Sequence, residues 1–203
     1  MKIISVFPMA FLALLGLHTC SPDASSFADQ TPHKAHAEPA PFNPKYALID
    51  QDGKPVTQQT YEGQYQLIYF GFTYCPDVCP IGLSLLTAAM RDLEESDASK
   101  ITPIFITVDP ERDPPETLKG YIASFHPRLQ GLTANSPQTI RKVTNGFRAF
   151  AMKDMTDHKG HYDMTHTSLF YVIGPGGEAL GTFSSTITKD EMLGKLQGFI
   201  NAL

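Results

Sequence analysis

Apolar and polar positions along the chain fall into short continuous runs that alternate with stripes at helical spacing. Tyr46-Ala47-Leu48-Ile49 is an apolar run closed by Asp50-Gln51-Asp52-Gly53. The Asp-Gly pair supplies tight-turn chemistry, so a strand entering a turn is predicted. Leu67 to Phe72 and Ile101 to Val108 are continuous apolar runs of strand length, which predicts two buried strands. Between them, Pro80 to Glu95 places Ile81, Leu85, Leu86, Ala89 and Leu93 at helical spacing. Asp109 to Pro115 is a Pro-rich charged turn, and Glu116 to Phe125 reads as a helix. A short strand is predicted near Gly131-Leu132-Thr133. Ser136 followed by Pro137 then predicts a capped helix running to Gly146. Ser168 to Ile173 and Glu178 to Phe183 read as strands joined by Gly174-Pro175-Gly176-Gly177. Thr188 with Glu191 forms a capping box that opens a last helix reaching Leu203.

Strands alternate with helices through the middle, and a hairpin then a helix close the chain. That order predicts an α/β sandwich with a central mixed sheet flanked by helices. No internal repeat is visible. No Gly-x-Gly-x-x-Gly or P-loop string occurs, so nucleotide chemistry has no visible seat.

The N-terminus breaks this pattern. Met1 and Lys2 precede an almost uninterrupted apolar run from Ile3 to Leu17. A membrane span needs roughly 20 such residues, so the run suits the hydrophobic region of a secretory signal instead. Leu17-His18-Thr19-Cys20 follows and resembles a bacterial lipoprotein box, in which Cys20 would be lipidated. Cleavage further on, for instance after Ala28, and an uncleaved anchor are the other two readings. All three place the domain on the extracytoplasmic, periplasmic side of a membrane. Residues 21–42 are rich in Pro, Ala, Ser and His without periodicity, which reads as a flexible tether. His33 and His36 lie in it, as solvated linker residues or weak auxiliary metal ligands. The predicted organisation is a signal or lipoprotein segment over 1–20, a tether over 21–42 and a folded domain over 43–203.

Length and composition fit that division. The chain has 203 residues, 42% of them hydrophobic, with 13 Phe and 8 Tyr, which is enough for a core without disulfide staples. The formal net charge of -5 and the lack of a basic run argue against nucleic acid as a partner. There are three cysteines, too few for a disulfide scaffold in a chain this long.

Cys75 and Cys79 are the informative pair. They sit in Phe70-Gly71-Phe72-Thr73-Tyr74-Cys75-Pro76-Asp77-Val78-Cys79-Pro80, where a buried strand gives way to a helix. Free N–H groups and the helix dipole favour negative charge there. Both thiols are therefore expected to have lowered pKa values and partial thiolate character. Cysteines at this spacing can face one ion from one side of a helix turn. Three intervening residues rather than two set the pair apart from a thioredoxin-type redox pair, although a disulfide stays possible. No second cysteine pair offers zinc its four ligands. Two thiolates and one imidazole suit copper, with soft sulfur favouring Cu(I). His166, just before the strand Ser168 to Ile173, is the candidate imidazole. Taken alone, such a histidine is more often structural.

Three strings now carry a resemblance. Phe70 to Pro80, Val108-Asp109-Pro110-Glu111-Arg112-Asp113, and His166-Thr167 followed by Phe170-Tyr171-Val172-Ile173-Gly174-Pro175 resemble the signatures of the Sco/SenC family of exported copper proteins. The likeness runs from about Phe42 to Ala202 in one register. It implies a thioredoxin-like fold, and copper bound by Cys75, Cys79 and His166. It implies an upstream copper donor and delivery to the dinuclear copper centre of cytochrome c oxidase. It also implies that the cysteines can alternatively form a disulfide, and that His166 sits on the loop where thioredoxins carry a cis-proline. Two positions depart from the pattern. Thr165 stands before the histidine where the family commonly has Asp, with Asp163 two places earlier, and Tyr74 stands where His is also frequent. In the second string, Asp109 and Arg112 read as a cap and salt bridge, or as a partner-recognition element.

A further cluster lies between Gly146 and His166: Met152, Met155, His158, His161 and Met164. Thioether and imidazole both suit copper, so a transient hand-off site competes with a plain β-excursion in which Met fills gaps. For the chain as a whole, a copper chaperone is the first functional reading. A thiol–disulfide oxidoreductase acting on the copper acceptor, with Cys75 and Cys79 as its redox pair, is the alternative. A peroxidase on this fold would want Thr three residues before the reactive Cys, where Phe72 and Pro76 stand instead.

Overall fold

The computed structural model describes residues 42–155 and 161–202. The leader, Cys20, His33, His36, His158 and all but Phe42 of the expected tether lie outside the described residues.

The elements run β1 (Ala47–Asp50), β2 (Pro55–Thr57), a 3-10 turn (Gln58–Tyr61), β3 (Tyr65–Gly71), α1 (Val78–Asp92), α2 (Glu95–Ala98), β4 (Ile101–Thr107), α3 (Pro115–Ile122), β5 (Gln130–Thr133), α4 (Pro137–Gly146), β6 (Ala151–Met155), β7 (Tyr162–His166), β8 (Leu169–Ile173), β9 (Ala179–Ser184) and α5 (Lys189–Asn201). Seven strands form one mixed sheet in the order β2-β1-β5-β4-β3-β8-β9, and β6 pairs with β7 as a separate two-stranded sheet. The α/β sandwich with a central mixed sheet is therefore the observed architecture.

The sheet centre follows from the two apolar runs. Every residue of β3 and of β4 is buried, and the two pair in parallel from Tyr65↔Ile101 to Gly71↔Thr107. Continuous burial is what a strand covered on both faces requires. Successive side chains then serve opposite layers. Tyr69 points toward α1, where a Cβ on Gly82 would sit 3.0 Å from its ring. Phe70 points the other way, into an aromatic cluster with Phe147, at the end of α4, and Tyr171. Phe42 stacks on Phe147 at 5.3 Å and closes that layer.

Local rules place the helix starts. Ser136 Oγ accepts the Thr139 N–H, with Pro137 as first helical residue. Thr188 and Glu191 form the reciprocal capping box before α5. α1 begins two residues before Pro80, because proline is tolerated anywhere in a first turn, where its missing N–H has no helical partner. Its buried face also differs from the predicted stripe. Cys79, Gly82, Leu83, Leu86, Ala89 and Met90 face inward, while Ile81 is exposed and Leu85 half-buried. The tight seat of Gly82 on Tyr69 turns the helix this way and carries Cys79 inside. Among the described residues no helix is long and apolar enough to cross a membrane.

Candidate metal centre

The site sits where β3 ends. Gly71 closes that strand, and a side chain there is excluded. A Cβ would lie 2.8 Å from Cys79 Sγ and 2.6 Å from the Phe105 ring. Glycine at this position makes room for the sulfur. The loop that follows is tied down by Asp113, which is fully buried. Its carboxylate accepts the Thr73 N–H at 3.0 Å, the Thr73 hydroxyl at 2.5 Å and the Thr107 hydroxyl at 2.6 Å. Burial pushes the Asp113 carboxyl up from its ordinary value, against these hydrogen bonds, which hold it down. Asp113 belongs to the charged turn, but one-dimensional reading has no means of choosing it over its neighbours.

Cys75 precedes α1 and Cys79 lies in its first turn, so the pair straddles the helix start. The Cys79 N–H donates to Cys75 Sγ at 3.4 Å. The free donors of the helix mouth thus serve Cys75, as expected of orphan N–H groups. Cys79 corrects the expectation that both thiols are acidified. It is completely buried, and burial pushes its thiol well above the ordinary value. A hydrogen bond from the Phe72 backbone opposes this, but desolvation of the anion is the larger effect.

His166 arrives from far along the chain. It is the last residue of β7 rather than part of a loop, because Ala151↔His166 closes the β6–β7 ladder. Nδ1 lies 3.0 Å from the Thr167 carbonyl oxygen and Nε2 lies 3.3 Å from Cys79 Sγ. Only the Nδ1–H tautomer satisfies the carbonyl, so the Nε2 lone pair faces the sulfur. The neighbouring carbonyl thereby fixes the ring. Thr165 instead donates its hydroxyl to Asp154 at 2.6 Å. Burial lowers the His166 pKa below 6.5, opposed by the Thr167 carbonyl and by Asp163, so the ring is neutral near pH 7. Edge-on contacts with Tyr69 and Phe72 wall it in.

The two Sγ atoms and the His166 ring nitrogen all lie within 4.8 Å of one another. Two metal–ligand bonds of about 2.3 Å span at most ~4.6 Å, so these atoms reach a shared ion with shifts of a few tenths of an ångström. Both cysteines are free thiols. Two soft sulfurs and one imidazole are a donor set for copper rather than for a hard cation.

Of the second cluster, the described methionines are divided between two faces. Strand alternation puts Met155 and Met164 on one face of the β6–β7 hairpin and Met152 on the other. Met164 packs against the core, while Met152 and Met155 are exposed. His161 immediately precedes β7. In the charged turn, Asp109 and Arg112 do form the expected salt bridge. What sequence reasoning missed is their third partner, Tyr162, whose hydroxyl donates to Asp109 at 2.9 Å. Exposed Tyr74 lies against the Arg112 guanidinium, which is 5.0 Å from its ring centre.

Comparison with known proteins now bears on this geometry. The SCO1/SenC family pattern matches residues 34–201. The chain belongs to the SCO1/SenC family. The mitochondrial SCO2 protein of Saccharomyces cerevisiae is 35% identical over 164 residues, covering 80% of this chain and 52% of the yeast protein. The chain thus spans about half the length of that SCO1/SenC relative. The structure of Bradyrhizobium japonicum ScoI with copper bound superposes with a TM-score of 0.69 at 40% identity, covering 76% of this chain and 97% of that one. Arabidopsis thaliana ScoI with copper bound gives 0.73 at 33% identity, covering 78% and 98%. The thioredoxin-like sandwich is the shared SCO1/SenC fold.

Proposed function

We propose that the domain is a copper chaperone that binds one Cu(I) or Cu(II) ion through Cys75, Cys79 and His166. The observation that carries this is the convergence of three ligand atoms within 4.8 Å. The copper-bound ScoI structures of two relatives support the choice of metal. Copper here is cargo. A site of three ligands leaves coordination positions open, so an acceptor's ligands can join before the chaperone's depart. Membership of the family supports an upstream copper donor and the dinuclear copper centre of cytochrome c oxidase as the client. We place the domain on the extracytoplasmic side of a membrane, tethered through Cys20 or an N-terminal anchor.

A second reading rests on the free thiols of Cys75 and Cys79. As a reductase, they would form one disulfide and pass two electrons and two protons to a disulfide on the acceptor. His166 separates the readings. Metal analysis with absorption spectra of the full chain, wild type against His166→Ala, is the test. The chaperone reading expects one copper per chain, and copper affinity falling at least tenfold in the variant. A copper centre indifferent to His166→Ala would overturn it, whereas thiol–disulfide exchange should survive the substitution.

A further inference from the structure

The ligand His166 rides on a hairpin that is anchored at its base, where Phe150 and Thr167 bond and Ala151 and Met164 pack against the core, but that carries its far end at Tyr162 outside the main sheet. β6 and β7 form a two-stranded sheet apart from the main sheet, and every one of their residues is exposed or half-buried. An isolated hairpin of this size is marginally stable in water. Yet metal capture requires His166 to hold its place to within a fraction of an ångström. His166 itself meets Phe72 and Cys79, and a second contact fastens the far end of the hairpin to the cysteine loop.

Arg112 makes that contact. Its guanidinium carbon lies 3.8 Å from the ring centre of Tyr162, the first residue of β7. NH1 donates to the Tyr162 carbonyl at 3.0 Å. On its other side it faces Phe72 at 5.7 Å and Tyr74 at 5.0 Å, both in the loop that carries Cys75. Nε pairs with Asp109, which is almost wholly buried and also accepts the Tyr162 hydroxyl. Asp109 is held in turn by its N–H, which donates to Thr107 at 3.0 Å. Lys153 of β6 covers the Tyr162 ring at 3.7 Å and pairs with Glu111 of the same turn at 2.8 Å. The planar fork of arginine can stack on rings and donate along two directions together, which an ammonium group cannot do.

We propose that Arg112 is a positioning residue for copper capture: it clamps the His166 hairpin, through Tyr162, onto the Phe72–Tyr74 segment beside Cys75. The inference rests on the three-ligand reading for its copper consequences, and on geometry alone for its mechanical ones. Arg112 touches no ligand atom, so its removal leaves both thiols in place and loosens the hairpin that carries the imidazole.

The test uses the full chain with Arg112→Met, which keeps the aliphatic stem and removes the fork. Hydrogen exchange of the metal-free protein reads the mechanical part. Amides of Tyr162 to His166 are expected to exchange roughly tenfold faster or more, with β3 and β4 unchanged. Copper titration reads the rest. Affinity is expected to fall by roughly 10- to 100-fold, the range seen when a residue orienting a metal ligand is lost. The sulfur-to-copper charge-transfer band persists, while nitrogen coupling to Cu(II) in the electron paramagnetic spectrum weakens. Because Arg112→Met leaves the Asp109 charge unpaired, Asp109→Asn/Arg112→Met is run beside it, and the same changes are expected. Hairpin exchange and nitrogen coupling that match wild type in a folded variant would overturn the proposal. Failure of wild type itself to bind copper would instead overturn the chaperone reading, and the exchange arm would still decide the role of Arg112.

Discussion

Nε2 of His166 lies 3.3 Å from Sγ of Cys79, across 87 positions of sequence. That approach depends on the sulfur sitting at the floor of the site, over a residue with no side chain. Gly71→Ala should therefore be costly. Its Cβ would meet Cys79 Sγ at 2.8 Å and the Phe105 ring at 2.6 Å, and neither the buried helix start nor the packed ring can retreat freely. Overpacking of this kind costs about 1–3 kcal/mol. Urea unfolding of the full chain should show that loss, accompanied by weaker copper binding. A stable variant with unchanged copper affinity would contradict this account of Gly71.

The two thiols should differ in reactivity. Cys79 is fully buried and its proton is held by desolvation, whereas Cys75 retains some exposure and receives the helix N–H at its sulfur. Thiolate, not thiol, is the nucleophile. Brief treatment of the metal-free protein with a small alkylating agent should label Cys75 first, by roughly tenfold or more. Peptide mapping by mass spectrometry reads the ratio. In disulfide exchange, Cys75 would likewise be the attacking sulfur.

Asp113 organises the cysteine loop from below. Asp113→Ala leaves the half-buried Thr73 N–H and hydroxyl and the buried Thr107 hydroxyl without their acceptor. A single unsatisfied buried group costs about 1–3 kcal/mol, and the Thr107 hydroxyl alone sets a loss in that range. Asp113→Asn keeps an acceptor for the Thr73 N–H and should lose less. Denaturant midpoints of the two variants check the ranking.

His126 should give stability a pH dependence away from the metal centre. Its Nδ1 accepts the Arg128 N–H at 3.2 Å, which only the neutral ring can do. Burial, then the charges of Arg128 and Arg91, hold its native pKa below the ordinary 6.5, with Glu95 opposing. The unfolded chain therefore takes up a proton before the native state does. This contribution is complete above pH 6.5 and declines as pH falls below it, until the native pKa is reached. In His126→Gln the decline across that window should be smaller, as thermal unfolding between pH 7.5 and 5 would measure.

Much of the layered core was legible because local rules and burial agree there. The apolar runs around Tyr69 and Phe105 became fully buried parallel strands. Ser136, Pro137, Thr188 and Glu191 stand where caps were expected, since capping acts over three or four residues. The β6–β7 hairpin was legible only as a β-excursion without strand bounds, because none of its strand residues is fully buried and polar residues stand at many positions, so no apolar period marks its limits. The orientation of α1 escaped for another reason. Its sequence offers two apolar faces, and the contact between Gly82 and the Tyr69 ring selects one.

By itself, the sequence determined the chemical identity of the site: two thiols near a helix start, a distant imidazole, and the motif strings that tie them to one family. Such information is local, or is carried by residue type. Only the tertiary structure decided that burial raises the Cys79 thiol pKa, that a backbone carbonyl orients His166, and that Arg112 joins the cysteine loop to the hairpin through Tyr162. Desolvation, ring orientation and clamping depend on which groups meet across the fold, and spacing along a chain does not encode those meetings.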